Sequence, residues 1–471
     1  MAENSTQVAV LGGGPGGYAA AFKAADLGLE VALIDTAENP GGVCLYRGCI
    51  PSKALLHVSR VITEAREAAE WGITYPEPDI DLAKLRAWKE SVVQKLTGGV
   101  GQLSDLRNIR YIRGRGSFTD ANTLRIETDD GEQQLRFEQA ILATGSQPVM
   151  IPGLFPDSER VMDSTDALSL RDIPDKLLVV GGGYIGLELG QVYQVLGSEV
   201  SVVEMMPNLL PGADQDLVKI LRKQVENQFT DVMLRSKVTE IKEQKNGLKV
   251  TIAPEQGEEF NKIYDKVLVS VGRKPDTGGL GLENTGVEIT DRGFVKVNAR
   301  RQTTESSIYA IGDIAGEPML AHKATHEGIV AAEAIAGEKV AFEPYAIPAV
   351  VFTDPEVAWC GLTESEAKEK DLPYEVAKFP WGASGRATTL GRNDGLTKLL
   401  VDPETERILG MGIVGLDAGE MIAEGVLAIE MAATVTDLKL TIHQHPTLSE
   451  TVMEAAELYF GPSTHVYRPK K

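Results

Sequence analysis

Two cysteines stand with four residues between them in Gly41-Gly42-Val43-Cys44-Leu45-Tyr46-Arg47-Gly48-Cys49-Ile50-Pro51-Ser52-Lys53. A closed loop of that size is compatible with a disulfide if the Cα atoms come within about 7 Å. So short a loop removes little chain entropy, so structural stabilisation is a poor reason to keep it. The chemistry it suits is a dithiol–disulfide couple that accepts two electrons. Lys53 falls one helical turn past Cys49 and can share its face. A cation there favours thiolate over thiol and draws the pKa below its free value of about 8.5. The competing use is metal, with Cys44, Cys49, His443 and His445 as four ligands. C-x4-C with H-x-H is not a common structural-zinc spacing, and no metal is expected. The third cysteine, Cys360, follows Trp359 alone and reads as packing.

A base is available near the far end. His443-Gln444-His445-Pro446-Thr447-Leu448-Ser449-Glu450 sets an imidazole and a carboxylate five positions apart. A histidine held at one ring nitrogen by a carboxylate is the usual group that takes a proton from a thiol. Sequence alone does not bring residue 445 to residue 44. His322 and His326 share a helical spacing, but position 323 is lysine, so they do not form H-E-x-x-H and read as an ordinary partly buried pair.

Two repeated units must position these groups. Val8-Ala9-Val10-Leu11 reads as a buried strand, followed by Gly12, Gly14 and Gly17 in G-x-G-x-x-G spacing, an alanine-rich helix, and Val31 to Ile34 ending at Asp35. The first glycine permits the turn, the second admits a pyrophosphate, and the third lets helix and strand pack closely. The plan recurs at Leu177 to Val180, with Gly181, Gly183 and Gly186, and ends at Glu204; each acid lies 23 positions past its first glycine. Two units of this kind imply two dinucleotide sites. A carboxylate at 204 bonds a ribose 2′-hydroxyl and repels a 2′-phosphate, and the following Met205 and Met206 are uncharged, so the second site reads as one for NAD(H) and not NADP(H).

The remaining chain reads more coarsely. Residues 53–70 and 82–105 are predicted helical. Residues 110–142 alternate as short strands with turns at 119–122 and 129–131, and 233–271 repeat that excursion with turns at Gly247 and Gly257. Pro152 and Pro174 bracket a predicted linker. Pro344, Pro348 and Pro355 mark a further break before strands near 397–415 and helices near 418–433 and 449–458.

Composition bounds the function. Across 471 residues, 47 Lys and Arg face 68 Asp and Glu, a formal charge of −21. A chain so acidic is not expected to bind nucleic acid or an anionic membrane surface. No apolar run approaches the ~18 residues of a membrane span. The Met1-to-Thr6 start has no basic or apolar leader, and with three cysteines there is no disulfide framework, so a bacterial cytoplasm is the expected location.

Together these segments resemble one family. The cysteine segment, both glycine fingerprints, Ala310-Ile311-Gly312-Asp313, Pro318-Met319-Leu320-Ala321-His322-Lys323 and His445-Pro446-Thr447-Leu448-Ser449-Glu450 run nearly the whole length. They resemble the dihydrolipoamide dehydrogenases, the flavin-containing third components of 2-oxo acid dehydrogenase complexes, within the pyridine nucleotide–disulfide oxidoreductases. The wording Cys-Ile-Pro-Ser-Lys-Ala-Leu-Leu is closer to lipoamide than to glutathione reductases. The resemblance implies an α/β fold of two Rossmann-like dinucleotide-binding domains with β excursions, a central segment and a C-terminal α+β dimerisation domain. The corresponding ranges are an FAD-binding domain at 1–149, an NAD-binding domain at 150–277, a central domain at 278–348 completing the FAD site, and the interface domain at 349–471.

The same resemblance assigns residues. FAD is expected at Gly12, Gly14, Gly17, Asp35, Gly42, Lys53, Gly116, Thr144, Asp313 and Ala321, with Asp35 on the adenosine ribose and Asp313 on the flavin side. NAD is expected at Gly181, Gly183, Tyr184, Gly186, Glu204, Val238 and Gly272. Lys53 is expected against the isoalloxazine, paired with Glu188. Cys49 is the implied flavin-facing sulfur and Cys44 the one exchanging with substrate. The family is a homodimer in which His445 and Glu450 serve the cysteines of the other subunit, and its partners are lipoyl domains or the glycine-cleavage carrier protein. Tyr184 departs from the pattern, standing where lipoamide dehydrogenases often carry an aliphatic residue and glutathione reductases a tyrosine over the flavin. The rival expectations are a reductase of the same architecture for a glutathione-like thiol or metal ion, and a non-catalytic flavoprotein or assembly subunit.

Overall fold

A computed structural model describes residues 4–467, so the first three residues of the Met1-to-Thr6 stretch lie outside it. The first unit runs β1 (Ser5–Leu11), α1 (Pro15–Asp26), β2 (Val31–Asp35), α2 (Gly42–Arg47), α3 (Cys49–Glu67), α4 (Leu82–Leu106), β3 (Arg110–Arg113), β4 (Arg115–Asp120), β5 (Thr123–Thr128) and β6 (Gly131–Leu142). Val8, Ala9 and Val10 are fully buried, which a continuous apolar run achieves only in a parallel strand covered on both faces. The sheet order is β3-β2-β1-β6-β5-β4. The late part of β6 lies parallel to β1, while its early part turns antiparallel to β5 and makes the expected excursion.

The second unit begins earlier than its glycine loop. After β7 (Ser146–Pro148) come β8 (Val161–Met162), α5 (Ser164–Ser169), β9 (Lys176–Val180), α6 (Tyr184–Leu196), β10 (Glu199–Val203), α7 (Gln215–Gln228) and β11 (Asp231–Met233). The excursion is β12 (Ser236–Gln244), β13 (Gly247–Pro254) and β14 (Phe260–Tyr264), closed by β15 (Lys266–Val269). The parallel order is β11-β10-β9-β15-β8. The stretch between Pro152 and Pro174, expected as a linker, therefore supplies a strand of this sheet: Val161 pairs with Val267 and Met162 with Leu268. Leu154 and Phe155 pack against its core.

The segment that follows returns to the first unit. β16 (Arg273–Pro275) pairs with β7, and β17 (Ile308–Ala310) adds to β6 in parallel. Helix α8 (Ala321–Ile335) lies on α1, and Ala331, Ala332 and Ala334 share a core with Ala20, Ala21 and Ala24. Small residues on both helices let their backbones come close.

The last domain is an antiparallel sheet, β18-β19-β22-β21-β20, from β18 (Ala349–Val351), β19 (Glu356–Gly361), β20 (Glu375–Pro380), β21 (Leu396–Val401) and β22 (Ile408–Gly415). The strands near 397–415 match expectation; β18, β19 and β20 add to it. Its helices are α9 (Glu364–Glu369), α10 (Gly385–Thr389), α11 (Ala418–Glu430), α12 (Val435–Leu440) and α13 (Glu450–Phe460). Alternation divides the faces. Ala358, Cys360, Met411 and Ile413 share a core with α11 and α13, whereas Val357 and Val414 pack with α7 of the second unit. Cys360 is buried there as expected, and burial pushes its thiol up to about 12.

One buried cation ties these bodies together. Lys398 on β21 is fully buried and places its ammonium 2.7 Å from Asp214, 2.9 Å from Asp216 and 2.7 Å from Glu364. Among the described residues, those three carboxylates are the one acidic or sulfur–imidazole group close enough to hold a metal, and Lys398 together with Lys378 already pairs with them.

Candidate active site

The redox pair is built by a break between two helices. α2 ends at Arg47 and α3 starts at Cys49, with Gly48 between them at φ −144° and ψ −113°. A Cβ on Gly48 would sit 2.8 Å from the Val43 carbonyl oxygen, so glycine lets the chain fold Cys49 back onto Cys44. The two sulfurs lie within hydrogen-bonding reach of each other. Hydrogen bonding to Cys44 lowers the Cys49 thiol; burial opposes this, and the Lys53 ammonium adds to it, leaving a value of about 7. The same contact drives Cys44 upward, reinforced by burial, so the pair shares one proton with the charge on Cys49.

Glu188 joins three parts of the molecule at this point. It lies on α6, is 3% exposed, and accepts from Lys53 Nζ at 2.7 Å and Ser52 Oγ at 3.1 Å. Its other oxygen accepts the Phe352 N–H at 2.9 Å, and Lys53 Nζ stands 4.4 Å over the Phe352 ring. The predicted Lys53–Glu188 pair is thus formed and fixes the redox helix against both the second unit and the last domain.

A cavity of about 520 Å³ opens onto these groups. Its lining gathers Gly12, Gly14, Asp35, Gly42, Cys44, Cys49, Lys53, Gly116, Thr144, Tyr184, Glu188, Asp313 and Ala321, residues scattered over 310 positions of sequence. Gly17 is packed beneath, against the Gly12 carbonyl. Asp35 accepts the Gly13 N–H at 2.5 Å and the Ala37 N–H at 2.9 Å, so its remaining lone pairs face the cavity. Gly42 (φ +58°) approaches Gly14 so closely that a Cβ would lie 2.4 Å from the Gly14 Cα. A glycine cradle, a helix N-terminus free of side-chain caps and a carboxylate at the far strand end suit the phosphates and ribose of an extended dinucleotide.

The second set is arranged alike but lies open. Glu204 accepts the Gly182 N–H and the Met206 N–H, both at 2.6 Å. Gly181, Gly183 and Gly186 form the turn into α6, and Gly272 follows β15; nothing stands within 4 Å of where a Cβ on Gly183 or Gly272 would be. The Val238 side chain is buried in the core under this sheet, so only its backbone can face a nucleotide. Tyr184, expected with this set, heads α6 and lines the first cavity beside Cys49, Arg273 and Asp313. Burial pushes its hydroxyl up to about 12, with Arg273 pulling the other way.

The His–Glu pair forms but stands apart from the cavity. His445 Nδ1 is 2.9 Å from Glu450 Oε1, and the Thr447 N–H donates to Glu450 Oε2 at 2.8 Å. Burial raises the Glu450 carboxyl, but the Thr447 N–H and the His445 ring outweigh it and hold it below the usual range. Since a carboxylate accepts, Nδ1 carries the proton and Nε2 keeps its lone pair on a side chain 72% exposed. Neither residue lines the cavity that holds the sulfurs of the same chain. Within one chain, Cys44, Cys49, His443 and His445 do not come together. His322 and His326 are exposed on α8, not partly buried, with His322 Nε2 2.8 Å from the Pro348 carbonyl oxygen.

One cavity contact escaped the sequence. Arg273 donates to Ser146 Oγ at 2.8 Å and to its carbonyl at 2.7 Å, and Ser146 Oγ donates to Asp313 at 2.5 Å. The available signal was the parallel between Ala143-Thr144-Gly145 and Ser270-Val271-Gly272, since the residues after each closing glycine pair as β7 and β16.

Comparison with known proteins agrees with this geometry. Residues 6–328 match the family "Pyridine nucleotide-disulphide oxidoreductase", and 347–456 match its dimerisation domain. A dihydrolipoyl dehydrogenase of Haemophilus influenzae is 50% identical over 99% of this chain and 98% of its own. One from Vibrio parahaemolyticus is 48% identical with the same coverage. The solved HOCl-induced flavoprotein disulfide reductase of Escherichia coli is similar with a TM-score of 0.85 and 28% identity, covering 96% of this chain and 99% of that one. With the two glycine units, the paired sulfurs and both matched domains in place, the chain belongs to the pyridine nucleotide-disulphide oxidoreductase family.

Proposed function

We propose that the protein oxidises protein-bound dihydrolipoamide to lipoamide and reduces NAD+ to NADH, working as a homodimer with FAD. The observation that carries this is the Cys44–Cys49 pair on a cavity wall with Lys53 and Glu188, with Cys49 poised near neutrality. The dihydrolipoyl dehydrogenases aligned over nearly the whole chain supply the substrate class.

The residues divide the work as follows. Nε2 of His445, oriented through Nδ1 by Glu450, takes a proton from one substrate thiol. The thiolate attacks Cys44 Sγ; the Cys44–Cys49 bond breaks and Cys49 leaves as thiolate, the better leaving group of the two. The second substrate thiol then attacks the mixed disulfide. Lipoamide departs, and Cys44 leaves as a thiolate that takes up a proton. Substrate loses two electrons and the protein disulfide gains them. FAD, held along Gly12, Gly14, Asp35, Gly42, Gly116, Thr144, Asp313 and Ala321, supplies the two-electron carrier between Cys49 and the nicotinamide. Lys53, anchored by Glu188, keeps positive charge beside the Cys49 thiolate. Gly181, Gly183, Gly186, Glu204 and Gly272 hold NAD+, and Tyr184 lies between the two sites.

Because His445 and Glu450 lie off their own chain's cavity, they serve the cysteines of a second copy. Lipoyl domains of a 2-oxo acid dehydrogenase complex, or the glycine-cleavage carrier, are the partners, in a bacterial cytoplasm. The test is Cys49→Ser: dihydrolipoamide-dependent NADH formation disappears while the yellow cofactor stays bound. Retained turnover overturns the scheme.

A further inference from the structure

The segment that carries the base turns one side chain inward, toward a separate helix. Between the end of α12 and Thr447, residues Thr441, Ile442, Gln444, His445 and Pro446 are all exposed, Ile442 at 95%. The one side chain of that stretch turned inward is His443, at 6% exposure. Its Nε2 lies 2.7 Å from Glu424 Oε1 on another helix, and its Nδ1 lies 3.0 Å from the Thr441 carbonyl oxygen of the same stretch; both partners accept, and the Glu424 contact is the one that ties the segment to a separate element. A buried ring held through Nε2 by a carboxylate on a neighbouring helix cannot slide without giving up that contact. Glu424 sits on α11, two turns beyond Asp417, which pairs with Arg60 of α3 at 2.8 Å. The clamp therefore hangs from a helix braced against the redox helix itself.

From this geometry we infer that His443 and Glu424 are positioning residues for the base: they fix the segment's course so that His445 presents Nε2 outward at a constant place. Glu450 sets the ring's orientation from the far side; His443 sets where the backbone passes. Without the clamp, the stretch keeps only the Thr447 Oγ1–Gln444 carbonyl and His445–Glu450 bonds at its far end, with no side-chain tie to α11, and His445 explores positions from which it cannot reach a thiol. A misplacement near 1 Å costs about 100-fold in rate when a reaction depends on aligned groups.

The inference rests on the proposed thiol chemistry, and the experiment separates the two. Dihydrolipoamide oxidation is measured with the flavin-loaded full-length protein, alongside NADH-driven reduction of ferricyanide, which needs no thiol base. Glu424→Ala and His443→Ala each lose about 10- to 100-fold in kcat with dihydrolipoamide and keep ferricyanide reduction within about twofold. Glu424→Gln, which retains an acceptor oxygen, recovers most of the rate. The double Ala variant is no slower than either single one, because the two act as one device. Full dihydrolipoamide turnover by Glu424→Ala, parallel loss of both activities, or additive losses in the double variant would each overturn the clamp. A wild-type protein that ignores dihydrolipoamide while reducing ferricyanide would overturn the thiol reading instead.

Discussion

The two dinucleotide units are the same object assembled twice, with one difference that separates their roles. Each has five parallel strands, β3-β2-β1-β6-β17 and β11-β10-β9-β15-β8. Each ends its second strand in an acid that accepts from the loop's middle glycine and from the residue two positions on. The fifth strand differs in origin. In the second unit it comes from residue 161, just upstream; in the first it comes from residue 308, and it brings Asp313, Ala321 and α8 with it. That late return helps wall the first site into a cavity, while in the second the space around Gly183 and Gly272 stays open. A closed site suits a cofactor that remains through many turnovers, and an open one suits a nucleotide that must enter and leave each time.

The largest expected effect tests closure. Gly42→Ala forces a side chain into the Gly14 backbone at a left-handed φ, so the protein should purify without yellow colour. Gly183→Ala, which meets open space, should keep the colour and weaken only NAD+ binding. A yellow Gly42→Ala protein would erase the contrast. Next come the fifth strands. Ile308→Ala and Met162→Ala remove buried side chains, each costing about 2–5 kcal/mol. The first should release cofactor on mild warming, and the second should raise KM for NAD+ with the colour intact; thermal melts followed by cofactor fluorescence distinguish them.

A smaller change sharpens the acid comparison. Glu204→Ala should raise KM for NAD+ by roughly tenfold, from a loss of about 1–2 kcal/mol in ribose contact, and should narrow the preference over NADP+. Unchanged preference would remove Glu204 from cofactor choice. The smallest effect concerns the sulfurs. Alkylation of the reduced protein should rise with pH around a midpoint near 7, the Cys49 value. Lys53→Met removes a cation that favours the thiolate, so the midpoint should move upward. A midpoint that stayed put would mean Cys44 alone sets it.

Much of this was legible because some signals are local. Glycine spacing, an acid 23 positions on, and paired cysteines followed by lysine need no knowledge of the fold, and each was found where its spacing placed it. The excursions at 110–142 and 233–271 were readable from alternation and turn residues, and the second is observed as β12–β14 over 236–264. β8 and β17 were not, since two or three residues carry no period and their pairing partners lie about 100 and 170 positions away. β20 hid behind Glu375 and Lys378, charged residues on a strand whose inward face is only Ala377 and Phe379. The His443 clamp was hidden for another reason. Its partner Glu424 sits on a separate helix, and the same histidine invited a metal reading.

Lys398 makes the second dinucleotide unit and the last domain answer to acidity together. Burial would push Asp216 and Glu364 up, yet lysine contacts hold both below the ordinary carboxylate range. Carboxylates depressed in this way favour the native state above their unfolded pKa and lose that contribution as pH falls through their native values. Acidification should therefore loosen this seam and free the second unit from the antiparallel sheet of the last domain. The resulting inactivation would leave the flavin cavity, sealed by other contacts, still coloured.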